Sequence, residues 1–122
     1  MRFLKSFSYA WQGIKYCFRS EKNFRIELLL AFIAFLFAAV LNIAATEWLV
    51  ILFCSALVLS LEIINTSIER LSNIISISFH SAIKLVKDMA AGAGFLVSLV
   101  SLIIACIIFL PKIEPFIKYF FK

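Results

Sequence analysis

Of 122 residues, 64% are hydrophobic and 16% are charged, and the mean hydropathy is +1.06. Soluble domains average about 45–50% apolar and about 25% charged residues, and disorder needs low hydrophobicity with high charge, so both classes are excluded. The net charge of +5 on so apolar a chain suits an anionic membrane surface rather than nucleic acid, and 3 Gly with 2 Pro is too little turn material for an all-β barrel. The expected class is an all-α membrane protein folding as a single domain over 1–122.

The first element is an amphipathic helix over 1–25. Phe3, Leu4, Phe7, Ala10, Trp11, Ile14, Cys17 and Phe18 recur at helical spacing, while Lys5, Gln12, Lys15 and Arg19 lie mostly off that stripe. Such a helix lies in the membrane interface. It lacks the uninterrupted apolar run of a secretory signal, so it is read as mature protein. Three membrane spans follow, over about 28–46, 48–69 and 88–110, set by the roughly 20 apolar residues that a crossing needs. Leu28 to Thr46 and Met89 to Leu110 carry no charge; the second span is long enough only by running through Glu62. Ala45–Glu47 is the expected turn between the first two spans, and Trp48 sits at an interface. Ser72, Ser76, Ser78 and Ser81 mark a connection before the third span, and Pro111 opens a C-terminal tail.

Lys and Arg set the orientation. With the N-terminus in the cytoplasm, nine positive residues are cytoplasmic and three are external. The N-terminal segment and 70–88 are therefore placed in the cytoplasm. Cys17, Cys54 and Cys106 are far apart with no paired spacing, which argues against a disulfide framework and a zinc site.

The chemistry concentrates in the second span. At about 100° per residue, Glu62, Asn65, Glu69 and Asn73 fall within about 80° of one another on a helix that is otherwise almost entirely apolar. Lipid cannot satisfy such a stripe, so it faces protein or a wet cavity, and an intramembrane carboxylate is a functional candidate. Glu21, Glu27, Lys84, Lys87 and Asp88 lie near the same membrane face. Arg25 is a salt-bridge partner for Glu21, and Lys84 for Asp88 four residues on. Carboxylates can hold Mg²⁺ together with substrate phosphates, a further one can take a proton from an alcohol, and a lysine can neutralise a moving phosphoryl group. These parts suit phosphorylation of a lipid alcohol by ATP. Neither the P-loop nor the protein-kinase motif set is present. The blander readings are an interfacial role for the glutamates, interhelical packing for Asn65, Gly92 and Gly94, and snorkelling for Lys87.

Four motifs in order resemble the prokaryotic diacylglycerol kinase family. They are Ala10-Trp-Gln-Gly13, Glu21-Lys-Asn-Phe-Arg25, Glu62-Ile-Ile-Asn-Thr-Ser-Ile-Glu69 and Lys87-Asp88-Met-Ala-Ala-Gly. Thr46-Glu47-Trp48 and Ile108-Phe-Leu-Pro111 lean toward its undecaprenol kinase branch. The resemblance implies a homotrimeric, multi-pass kinase of the bacterial inner membrane that uses MgATP, with sites shared between protomers. It also implies roles: Glu62 as general base on the lipid hydroxyl, Asn65 orienting the site, Glu21 and Glu69 on the metal and nucleotide. Lys87, Asp88 and Asn73 would contact the nucleotide, with Arg2, Tyr9 and His80 approaching it. Asn73 stands where the family usually has Asp, and Glu27 where the undecaprenol branch usually has His. The acceptor that the resemblance implies is diacylglycerol or undecaprenol. Two rival readings are a catalytically impaired membrane protein of the same fold, acting in lipid binding or assembly, and a small pore.

Overall fold

The computed structural model describes residues 2–75 and 80–121, with the side chain of His80 outside the described part. Four helices follow one another: α1 (Arg2–Ser20), α2 (Lys22–Val40), α3 (Ala45–Ile75) and α4 (His80–Phe120). Three are long and apolar enough to cross a membrane: α2, α3 and, within α4, Ser81–Phe120. The chain is thus an all-α protein with three candidate spans and an N-terminal amphipathic helix.

α1 presents its apolar stripe away from the bundle. Phe3, Leu4, Phe7, Trp11, Ile14 and Phe18 are exposed, and within α1 only Cys17 is buried. A stripe left uncovered by protein is what an interfacial helix offers to lipid. The helix stops at Ser20 rather than continuing to 25, because Glu21 takes an extended conformation (φ −112°, ψ 112°). Arg25 then folds back, its guanidinium donating to the carbonyls of Phe18 (2.9 Å) and Arg19 (3.0 Å). It therefore satisfies carbonyls left open at the end of α1, and is not the partner of Glu21.

The first turn falls at 41–44, earlier than the uncharged stretch suggested. Asn42 adopts φ 51°, and the Ile43 amide donates to the Ala38 carbonyl at 3.3 Å. This six-to-one bond after a left-handed residue is a Schellman closure, with Ile43 and Ala38 both buried against each other's helix end. The short polar side chain of Asn tolerates the left-handed region. Asn42→Ala is expected to destabilise the fold by about 1–2 kcal/mol, and Asn42→Gly to be nearly neutral. Reversible unfolding in mixed detergent micelles measures both; equal stability of the two variants would refute the assignment.

Glu47 starts α3 by accepting a hydrogen bond from the Ala44 amide at 3.0 Å, half of a capping box. It also meets Lys112 of α4 at 3.2 Å. Around this level Ala38, Ile43, Ile51 and Ile108 are buried together, with Phe35, Trp48, Ile104 and Phe109 packed on them. One end of the three-helix bundle is therefore joined by apolar contacts. α4 does not end at Pro111 but runs on through Pro111 and Pro115 to Phe120. Ser76 and Ser78, within the expected connection, lie outside the described residues.

Candidate functional site

The opposite end of the bundle carries the polar groups, and three elements bring them together. The extended residue between α1 and α2 supplies Glu21, the C-terminal half of α3 supplies Glu62 to Asn73, and the first turns of α4 supply Lys84 to Asp88. Two side-chain contacts close the cluster. Arg70 Nη2 meets Glu21 Oε1 at 3.2 Å, and Lys87 Nζ donates to Asn73 Oδ1 at 2.6 Å. The first links α3 to the α1–α2 junction across 49 residues, and the second links α3 to α4.

Glu62 is the most enclosed carboxylate of the group, at 8% exposure. Beneath it Thr66 is buried and donates its hydroxyl to the Glu62 carbonyl at 2.9 Å. That bond uses the backbone oxygen, and among the described residues no donor reaches the Glu62 carboxylate. Glu21 and Glu69 are close enough for their charges to act on it. Asn65 is half-buried and Glu69 and Asn73 are exposed, so the stripe runs from a covered end at Glu62 to an open end at Asn73.

Lys87 is half-buried, and its ammonium is held over the open end of the stripe by Asn73. Asp88 is exposed and is bridged by Lys84 at 2.8 Å, as the four-residue spacing suggested. Arg2 and Tyr9 are exposed on α1, and no hydrogen bond or ion pair ties their side chains to the cluster among the described residues. The side chain of His80 lies outside the described part.

Two contributors were not among the residues singled out for roles. Arg70 stands over the Tyr16 ring at 5.5 Å while it pairs with Glu21. In sequence it lies just off the polar stripe, about 80° from Glu62, and it is the one cation inside that stretch of α3. Cys17 is buried at the same junction, where burial and then the charges of Glu21 and Glu62 push its thiol above the usual range. Glu27, one and a half turns below Glu21 on α2, has its Oε2 buried with no hydrogen-bond partner among the described residues. It lines a cavity of about 510 Å³ between α2, α3 and α4, otherwise walled by residues such as Ala34, Ile51, Val58, Ser98 and Ser101.

Among the described residues no three His, Cys, Asp or Glu side chains cluster to hold a metal. The polar end instead offers Glu21 and Glu69 as separate carboxylates around Glu62. This donor set fits Mg²⁺, a hard ion that takes one or two protein carboxylates and completes its shell with water and substrate phosphates.

The sequence model of the family described as "Prokaryotic diacylglycerol kinase" matches residues 8–109, which include the four motifs that carry the family resemblance. The chain is 36% identical over 112 residues to "Undecaprenol kinase" of Bacillus subtilis, covering 92% of this chain and 91% of that protein. It is 34% identical over 111 residues to "Diacylglycerol kinase" of Synechocystis, covering 90% of this chain and 63% of that one. With "Diacylglycerol kinase" of Escherichia coli K12 the identity is 28% over 107 residues, covering 88% of each chain. The chain therefore belongs to the prokaryotic diacylglycerol kinase family.

Proposed function

We propose that this lipid kinase transfers the γ-phosphate of MgATP to the hydroxyl of a membrane lipid, diacylglycerol or undecaprenol, at the cytoplasmic face of the bacterial inner membrane. The observation that carries the reading is Glu62. The residue is buried and its carboxylate receives no hydrogen bond among the described residues, on the face of α3 that also carries Glu69 and the Asn73 that holds Lys87. A carboxylate left unneutralised on such a face can accept a proton from an alcohol.

The roles divide by position. Glu62 takes the proton of the lipid hydroxyl as that oxygen attacks the γ-phosphorus and the bond to the β–γ bridging oxygen breaks, leaving ADP. Asn65, on the next turn of the same face, orients the hydroxyl. Glu21 and Glu69 hold the Mg²⁺ that arrives with ATP and that, when bound, neutralises charge on the phosphate oxygens. Lys87 faces the phosphates, with Asp88 beside it on the nucleotide and Asn73 keeping the ammonium in place. Arg2, Tyr9 and His80 approach the nucleotide from the edges. The cavity beside Glu27 has the apolar walls that a lipid tail requires. The exposed Glu69, Asn73 and Asp88 fit a site completed by a neighbouring protomer, as in the homotrimer that the family resemblance implies.

Phosphate transfer from labelled MgATP in mixed micelles, with diacylglycerol and undecaprenol offered side by side, tests the reading. Labelled product from either lipid supports it, and the rate ratio assigns the acceptor. No transfer to either from a folded protein would favour the non-catalytic alternative, which the relatives do not favour.

Arg70 bears on the metal. Because it shares Glu21, Arg70→Met is expected to lower the Mg²⁺ concentration for half-maximal rate while changing kcat little. The Arg70 side chain is half exposed, so the pair itself adds little to stability. A rise in the Mg²⁺ requirement would mean instead that Arg70 holds Glu21 in position.

A further inference from the structure

The end of α4 has no part in the chemistry above and lies beyond residues 8–109, the part matched by the family model. Its level in the fold is set by the packing of Ile108 and Phe109 just before it and by one ion pair. Lys112 Nζ meets Glu47 Oε1 at 3.2 Å, beside Trp48 in the first turn of α3. The helix then continues to Phe120, about 12 Å further at 1.5 Å per residue. Glu47 lies about 4.5 Å along α3 from Ala44, so most of that length extends past the level of the α2–α3 turn.

This stretch is amphipathic. Ile113, Phe116, Ile117 and Phe120 fall within about 100° of one another around the helix, while Glu114 and Lys118 lie on the other side. Glu114 and Lys118 are joined at 3.2 Å, which keeps the polar side together. The aromatic side chains are uncovered: Tyr119 is 79% exposed, Phe120 74% and Phe121 85%. So many bare rings at the end of a helix standing in water would forfeit their burial energy. Pro111 and Pro115 remove two amide donors, which frees the carbonyls of Ile107 and Pro111 and softens the helix at this level.

We propose that residues 111–121 form an interfacial anchor seated on the bilayer surface opposite the catalytic end. The Phe116–Phe120 side enters the boundary between headgroups and acyl chains, and Lys118 faces lipid phosphates. The bilayer is the occupant because α4 is continuous with a span, so its end emerges within the headgroup layer. Aromatic rings and lysines are also the residues that settle there. With α1 at the other face, each surface of the membrane then carries one amphipathic helix.

Nitroxide labels test this in the full chain, reconstituted in phosphatidylcholine vesicles with or without phosphatidylglycerol. The substitutions are Phe116→Cys, Ile117→Cys, Lys118→Cys and Phe120→Cys, each with Cys17, Cys54 and Cys106 changed to Ala. Labels at 116, 117 and 120 are expected to collide mainly with oxygen, and the label at 118 mainly with a water-soluble nickel chelate. Phosphatidylglycerol is expected to deepen the first three, and Lys118→Glu to remove that increment. Phe120→Trp in a chain carrying Trp11→Phe and Trp48→Phe, read by quenching with lipids brominated near the headgroup, repeats the test without cysteine chemistry. Helical content and thermal unfolding of each variant, set beside those of the unsubstituted chain, report folding. Equal access to the nickel chelate at all four positions would overturn the proposal in favour of a helix standing in water. Shielding from both probes would overturn it in favour of cover by a second copy or another protein.

Discussion

Glu62→Gln is expected to lower phosphate transfer by about 10²–10⁴-fold, the range that a positioned general base supplies. The substitution keeps the shape of the side chain and removes only its ability to hold the proton. Glu62 is buried at 8% exposure with Thr66 bonded to its backbone carbonyl, and that bond survives the change. Stability should therefore not fall, since the variant no longer carries a charge out of water. Transfer rates in mixed micelles, set beside helical content and thermal unfolding of the same samples, check this. Activity near that of the unsubstituted chain would remove Glu62 as the base and leave Glu69 or Glu21 to be tested next.

Lys87→Met should cost about 10²–10³-fold in kcat, comparable to losing one preorganised donor aimed at developing charge. Methionine keeps the length of the stem and its packing, so the loss isolates the ammonium. Asn73 acts through Lys87, which it holds at 2.6 Å. A hydrogen bond to a charged group contributes about 1.5–3 kcal/mol, so Asn73→Ala should lower kcat by about 10–100-fold. The two residues form one unit, and the double variant should be no slower than Lys87→Met alone. Additive losses would mean that Asn73 meets the nucleotide directly, as its place on the open end of the stripe also permits.

The two ends of the bundle do different work. Near the α2–α3 turn, Ala38, Ile43, Ile51 and Ile108 bury one another and the Glu47–Lys112 pair closes the edge. At the other end, Arg70 with Glu21 and Lys87 with Asn73 link the helices. The partly exposed Arg70–Glu21 pair contributes little to stability. The polar end is thus the looser one, and in the proposed reaction it is the end that admits a nucleotide from water and a lipid from the side.

Much was determined by the sequence alone. Hydropathy and length forced three spans, because a bilayer accepts only backbone that satisfies itself. A helical period of 3.6 residues put Glu62, Asn65, Glu69 and Asn73 on one face before any coordinates. The four-residue spacing of Lys84 and Asp88 likewise announced their bridge. These are local properties, and local rules suffice for them.

Only the tertiary structure decided the rest. The turn at 41–44 depends on Asn42 taking a left-handed conformation, which hydropathy does not register. Pro111 looked like the end of a helix, yet the helix passes through it, its flank held by Lys112 against Glu47 of another element. Glu21 had Arg25 in reach along the chain, but Arg25 serves the carbonyls that end α1, and the partner is Arg70, 49 residues away. Competition among several donors for one carboxylate is settled by where distant helices stand, and that information enters only when they pack.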